Sequence, residues 1–131
     1  MCIRDRLITG YPKFSNFENN VSEKILLLLK EIDFGKIRIF TELLSVDEFG
    51  SKFTANKIKS GETFDLIIHL GFSSKSTKIR FEKYAHNEYK MSKPDNSGRC
   101  ISNGKIIDNQ KEKYQTNIDF SPLNYLSLIH I

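Results

Sequence analysis

Over the first seventy residues the apolar positions change their period in a regular order. Leu7-Ile8-Thr9-Gly10 closes a short apolar run that reads as the end of a strand. Residues 10–20 are rich in Gly, Pro, Ser and Asn, the composition of a surface loop. Ser22 is a candidate helix cap. After it, Ile25, Leu26, Leu28, Leu29 and Ile32 recur at helical spacing, with Leu27 off the centre of the stripe, so a wide face is expected to be buried. Phe34-Gly35 stops this helix. Ile37, Ile39 and Phe40 predict a second strand through about Leu44, β-branched and aromatic as strands prefer. Asp47 to Lys59 reads as a second amphipathic helix, with Phe49, Phe53, Ala55 and Ile58 as its apolar positions and Gly61 as its end. Phe64 to Leu70 is nearly continuously apolar, the pattern of a parallel strand covered on both faces.

Three strands separated by two helices predict an α/β fold, a parallel sheet joined by right-handed crossovers. Beyond Gly71 the pattern weakens. Residues 73–77 read as a polar loop and residues 78–86 as a fourth strand. Asn87 to Gln115 is polar and broken by Pro94, Gly98 and Gly104, which is long for an uncommitted loop in a compact domain. It is expected to be a functional arm or a segment that packs against chain beyond these residues.

The two ends read differently from the middle. Met1-Cys2-Ile3-Arg4-Asp5-Arg6 can be encoded ATG TGT ATA AGA GAC AG, and Leu126-Ser127-Leu128-Ile129-His130-Ile131 can be encoded CTG TCT CTT ATA CAC AT. These strings are reverse complements and resemble a transposon end used to build sequencing libraries. Residues 1–6 and 126–131 are therefore expected to be translated adapter, and residues 7–125 the N-terminal part of a single domain. The formal charge of +4 then loses two arginines and one aspartate and becomes +3. Lysines are scattered among acidic residues and form no patch, so no nucleic-acid partner is expected. Cys2 goes with the adapter and leaves Cys100, an incidental thiol. No long apolar span marks a membrane segment, and a reducing, cytoplasmic compartment is expected.

Open parallel sheets bind ligands beyond the carboxyl ends of their strands, which directs attention to residues 10–20 and 72–77. Neither segment carries a dinucleotide fingerprint or a phosphate-binding loop. Tyr11, Phe14 and Phe17 are aromatic where polar residues are usual. On spacing alone the favoured account is that they pack the loop onto the sheet, and the functional account is that they wall a small apolar pocket. His69 is expected as a satisfied core histidine. Two native histidines and one native cysteine argue against a metal site.

Leu7-Ile8-Thr9-Gly10-Tyr11-Pro12-Lys13-Phe14 with Asn20-Val21-Ser22 resembles the L-x-T-G-F-x-P-F…N-P/A-S opening of class I pyroglutamyl peptidases. Asp65 to Gly71 is similar to that family's strand ending in H-V-G. Phe81-Glu82-Lys83-Tyr84-Ala85-His86-Asn87, with Tyr89-Lys90 and Asp95-Asn96, resembles the animal and protist branch. The resemblance covers residues 7–120.

The resemblance implies a three-layer α/β/α sandwich of the phosphorylase/hydrolase-like kind, with a mostly parallel sheet, here truncated. It implies a cysteine-type omega-peptidase that removes N-terminal pyroglutamate from peptides without a cofactor. Glu82 falls on the carboxylate of the family's Cys-His-carboxylate trio. Tyr11, in place of the usual Phe, and Phe14 fall on the aromatics that hold the lactam ring, and Phe72 stands at a further substrate-binding position where bacterial members carry Gln or another residue. His86 is expected to hydrogen-bond beside Glu82. Lys13, Val21 and Ser92 replace the usual Pro, Pro or Ala, and bacterial Arg. The nucleophilic cysteine and the histidine are expected beyond Tyr125, so these residues by themselves are expected to be inactive. The alternative is a non-catalytic relative that binds something else, for which Phe72 and the divergent first loop speak. The resemblance carries no oligomeric state.

Overall fold

A computed structural model describes residues 4–15, 18, 20–123 and 129–130. The chain forms two compact units, Met1–Phe72 with Asp95–Arg99, and Ser73–Pro94 with Cys100–Ile131.

The first unit has the predicted alternation: β1 (Arg4–Gly10), α1 (Val21–Leu29), β2 (Ile37–Leu43), α2 (Glu48–Lys59) and β3 (Leu66–His69). Its sheet has the order β2-β1-β3, and both pairings are parallel. Leu7 lies opposite Phe40 on one side and Ile67 on the other. The first crossover runs from β1 to one neighbour, and the second returns across β1 to the other. Right-handed connections in opposite directions put α1 and α2 on opposite faces, which makes this an α/β unit of three layers. The direction of winding reverses between β1 and β3, and at such a reversal a crevice opens at the carboxyl ends of the strands.

Burial departs from the expected stripes. Among the described residues the buried apolar side chains are Leu7, Ile8, Leu26 and Leu44. On α1 only Leu26 and Ser22 are buried, while Ile25 and Leu28, and Ile32 beyond the helix end, are exposed. The face expected there is covered only at Leu26 and partly at Leu29 among the described residues. On α2 the buried residues are Gly50 and Thr54, one turn apart, whereas Phe49 and Ile58 are exposed and Phe53 is half-buried. Small residues let this helix approach closely. A Cβ on Gly50 would stand 1.9 Å from the Ser45 carbonyl oxygen. β3 is half-buried rather than covered on both faces, and pairs with β1 alone among the described residues.

The helix starts show where local polar chemistry acts. Asn20, not Ser22, caps α1, its side-chain oxygen accepting from the Ser22 N–H at 3.0 Å. Asp47 caps α2 through the Gly50 N–H at 2.8 Å, and that bond, with the Ser45 hydroxyl, holds its carboxyl below the usual range.

The expected fourth strand is divided in the second unit. β4 (Ile79–Arg80) and β5 (Tyr84–His86) flank residues 81–83, and β5 pairs antiparallel with β6 (Lys113–Gln115). A 3₁₀ turn follows at Ser121–Leu123, and β7 (Ile129–His130) pairs parallel with β4. The polar arm is ordered by its own hydrogen bonds. Asn87 is buried, and its amide both donates to the Ile107 carbonyl and accepts from the Ile107 N–H, each at 2.8 Å. The Tyr89 and Met91 amides donate to the carbonyls of Gly104 and Ile101.

Candidate functional site

The carboxyl ends of β1 and β3 lie side by side at the reversal point. Thr9, fully buried, brings its Oγ1 within 2.7 Å of Nδ1 of His69 on the adjacent strand. The Leu70 N–H donates to the Thr9 carbonyl at 2.9 Å, and the Leu44 N–H to the Gly10 carbonyl at 2.8 Å. The ends of β2 and β3 are thereby both tied to β1. His69 differs from the core residue expected of it. It is exposed at the end of β3 and satisfied on one ring nitrogen, and desolvation holds its imidazole below the ordinary value.

Tyr11 is the first residue after β1, half-buried, and burial pushes its phenol above the ordinary value. Phe14, three residues on, is also half-buried. Phe72, three residues past β3, is 43 % exposed. These three aromatics therefore follow the two strands that flank the reversal, while Phe17 lies outside the described residues. Aromatic rings suit contact with a flat, uncharged ligand.

The motif residues Asp95 and Asn96 hold a structural turn. The Asn96 N–H donates to the Val46 carbonyl at 2.9 Å, so the Asp95–Arg99 turn is docked just past the end of β2. Arg99 lies 3.8 Å from Glu48 at the start of α2. The Asp95 side chain is 5 % exposed. It accepts from the Ser97 hydroxyl and from the Ser97 and Arg99 amides, and these bonds, the hydroxyl first, hold its carboxyl below the usual range. An Asp followed by Ser at two residues and by Gly at three is a turn signature that identifies such a loop in the sequence.

In the second unit Glu82 is exposed between β4 and β5 and forms an ion pair with Arg80. Arg80, not His86, is its partner, and His86 is exposed at the end of β5. Cys100 is exposed, and its thiol lies 3.7 Å from the Met91 carbonyl oxygen. Among the described residues no three His, Cys, Asp or Glu side chains gather as metal ligands, and no helix is long and apolar enough to cross a membrane.

The profile of the pyroglutamyl peptidase family matches residues 4–124. The chain belongs to that family. The pyrrolidone-carboxylate peptidase of Pyrococcus furiosus is 28 % identical over 108 residues, which are 82 % of this chain and 52 % of that protein. The crystal structure of the pyrrolidone carboxyl peptidase of Fervidobacterium islandicum superposes with a TM-score of 0.78 at 29 % identity, covering 86 % of this chain and 54 % of that one. The Pyrococcus furiosus enzyme's structure gives 0.75 at 27 %, covering 85 % and 53 %. The chain thus spans about half the length of the relatives it matches.

Proposed function

We propose that the protein this chain belongs to removes N-terminal pyroglutamate from peptides by covalent cysteine catalysis. Family membership supports the reading. The observation that carries it is the pair of aromatics, Tyr11 and Phe14, that follows β1 at the reversal of the sheet. In this reading their rings hold the lactam, and Glu82 orients an imidazole. The cysteine thiolate attacks the pyroglutamyl carbonyl carbon. The amide C–N bond breaks, and the amine leaves with a proton from the imidazolium. Water, deprotonated by the same imidazole, then hydrolyses the thioester and frees pyroglutamate and thiolate.

The thiol and the imidazole belong in this reading beyond Tyr125, and residues 7–125 supply the ring slot and the carboxylate. Residues 1–6 and 126–131 are read as translated adapter. β1 and β7 include residues from those hexapeptides, but a β-ladder is made by backbone groups and is indifferent to the origin of the residues. The restrained use of cysteine favours the cytoplasm. The test is to read the coding frame past the Tyr125 codon. A cysteine in a strand-to-helix turn followed by a histidine is expected, and a frame that continues through a whole domain without either one overturns the proposal.

A further inference from the structure

Ser22 is fully buried in the first turn of α1, and its hydroxyl is not needed to cap the helix, because Asn20 does that. The hydroxyl instead meets the main chain of Tyr11. It accepts from the Tyr11 N–H at 2.9 Å and lies 3.2 Å from the Tyr11 carbonyl oxygen and 2.6 Å from Asn20 Oδ1. A serine hydroxyl has one proton and two acceptor lone pairs. Whichever oxygen takes the proton, the Tyr11 N–H stays bound. Asn20 adds a contact from Nδ2 to the Pro12 carbonyl at 3.4 Å. Gly10 completes the fit, since a Cβ there would meet Leu26 Cδ1 at 3.0 Å and the Ser22 carbonyl oxygen at 3.1 Å.

From this arrangement we infer that Ser22 and Asn20 are positioning residues for substrate, clamping the backbone of Tyr11 so that its ring is fixed before the lactam arrives. The inference rests on the reading of Tyr11 as a wall of the pyroglutamate slot. A residue held at its N–H, next to a glycine pressed against a helix, has little freedom to swing. Ring placement made in advance lowers the ordering cost of binding, so its loss appears in KM more than in kcat.

The test has two arms. In this 131-residue chain, amide hydrogen exchange at Tyr11 is compared between the unsubstituted protein and Ser22→Ala. Protection is expected to fall at Tyr11 while that of Leu7 and Ile8 in β1 is kept. In the protein carried to the length of its relatives, KM and kcat are measured on a fluorogenic pyroglutamyl amide. Ser22→Ala is expected to raise KM about tenfold, the worth of one net hydrogen bond, with kcat little changed. In a Tyr11→Ala background the same substitution is expected to add nothing, because its effect passes through the ring. If Ser22→Ala does not fold, Asn20→Ala is expected to raise KM and Asn20→Asp, which keeps the acceptor oxygen, to restore it. Unchanged exchange at Tyr11, or an equal rise of KM in the Tyr11→Ala background, overturns the inference while an active parent leaves the peptidase reading intact. A parent that never turns over the substrate overturns both.

Discussion

At Gly50 the backbone of α2 comes so close to Ser45 that a methyl group at Cβ would overlap the Ser45 carbonyl. Gly50→Ala is therefore expected to destabilise the chain by about 1–3 kcal/mol, although alanine is the better helix former, because overpacking outweighs propensity. Urea unfolding of the two proteins checks this, and a more stable alanine variant would contradict the close approach. His69 makes a second prediction. Its folded pKa is depressed, so the unfolded chain takes up a proton first as pH falls. Stability is then full above the ordinary histidine value, 6.5, and declines as pH falls from there through the lower folded value. His69→Asn, which keeps an acceptor near Thr9, is expected to flatten the stability profile between about pH 7 and pH 5. A variant whose stability, read by urea unfolding, falls as much between those two pH values as the parent's would contradict it. At this scale the sequence was informative where a residue type is chemically unusual, as with Tyr11 and Phe14 in a polar loop. It was uninformative about Ser22, because a serine near a helix start reads as a cap whether or not its neighbour already fills that role.

The order and type of the elements were legible through β3, since periods of two and 3.6 separate cleanly in runs such as Ile37–Leu43 and Glu48–Lys59. The buried faces were not. On α2 the aromatic positions draw the apolar stripe to Phe49 and Phe53, yet those rings stack edge to face with centroids 6.4 Å apart near the surface, and the buried positions are Gly50, pressed against Ser45, and Thr54. Hydropathy does not register a contact made by small residues. On α1 the consequence is measurable. Leu26 is 4 % exposed and Leu28 59 % exposed. Leu26→Ala is expected to cost about 2–4 kcal/mol and Leu28→Ala less than about 0.5 kcal/mol in this chain. Equal losses, read by urea unfolding, would mean that both leucines are packed. Residues 78–86 alternate without a Gly or Pro, which reads as one strand. What divides β4 from β5 is pairing with two different partners, which no local pattern encodes.

For the whole molecule the small buried set governs stability. Four buried apolar residues among the described ones, and a β3 that pairs on one side only, leave little hydrophobic burial to set against chain entropy. The 131-residue chain is expected to unfold over a broad range of urea with a low m-value, and a steep cooperative transition would contradict that. The α/β architecture was legible at this scale because alternating strands and helices admit few topologies. The division into two units was not, because the return of Asp95–Arg99 to the first unit depends on a docked turn rather than on any break in composition. The role proposed for Glu82 is to orient the imidazole of a cysteine peptidase acting on pyroglutamyl peptides. Its most direct test is the turnover of a pyroglutamyl amide by the protein at its relatives' length, beside Glu82→Gln. Release of the fluorophore by the parent is expected, with a fall in kcat of about 10³- to 10⁴-fold in the variant, as when an imidazole loses its orienting carboxylate. A Glu82→Gln protein that works at the parent's rate would contradict it.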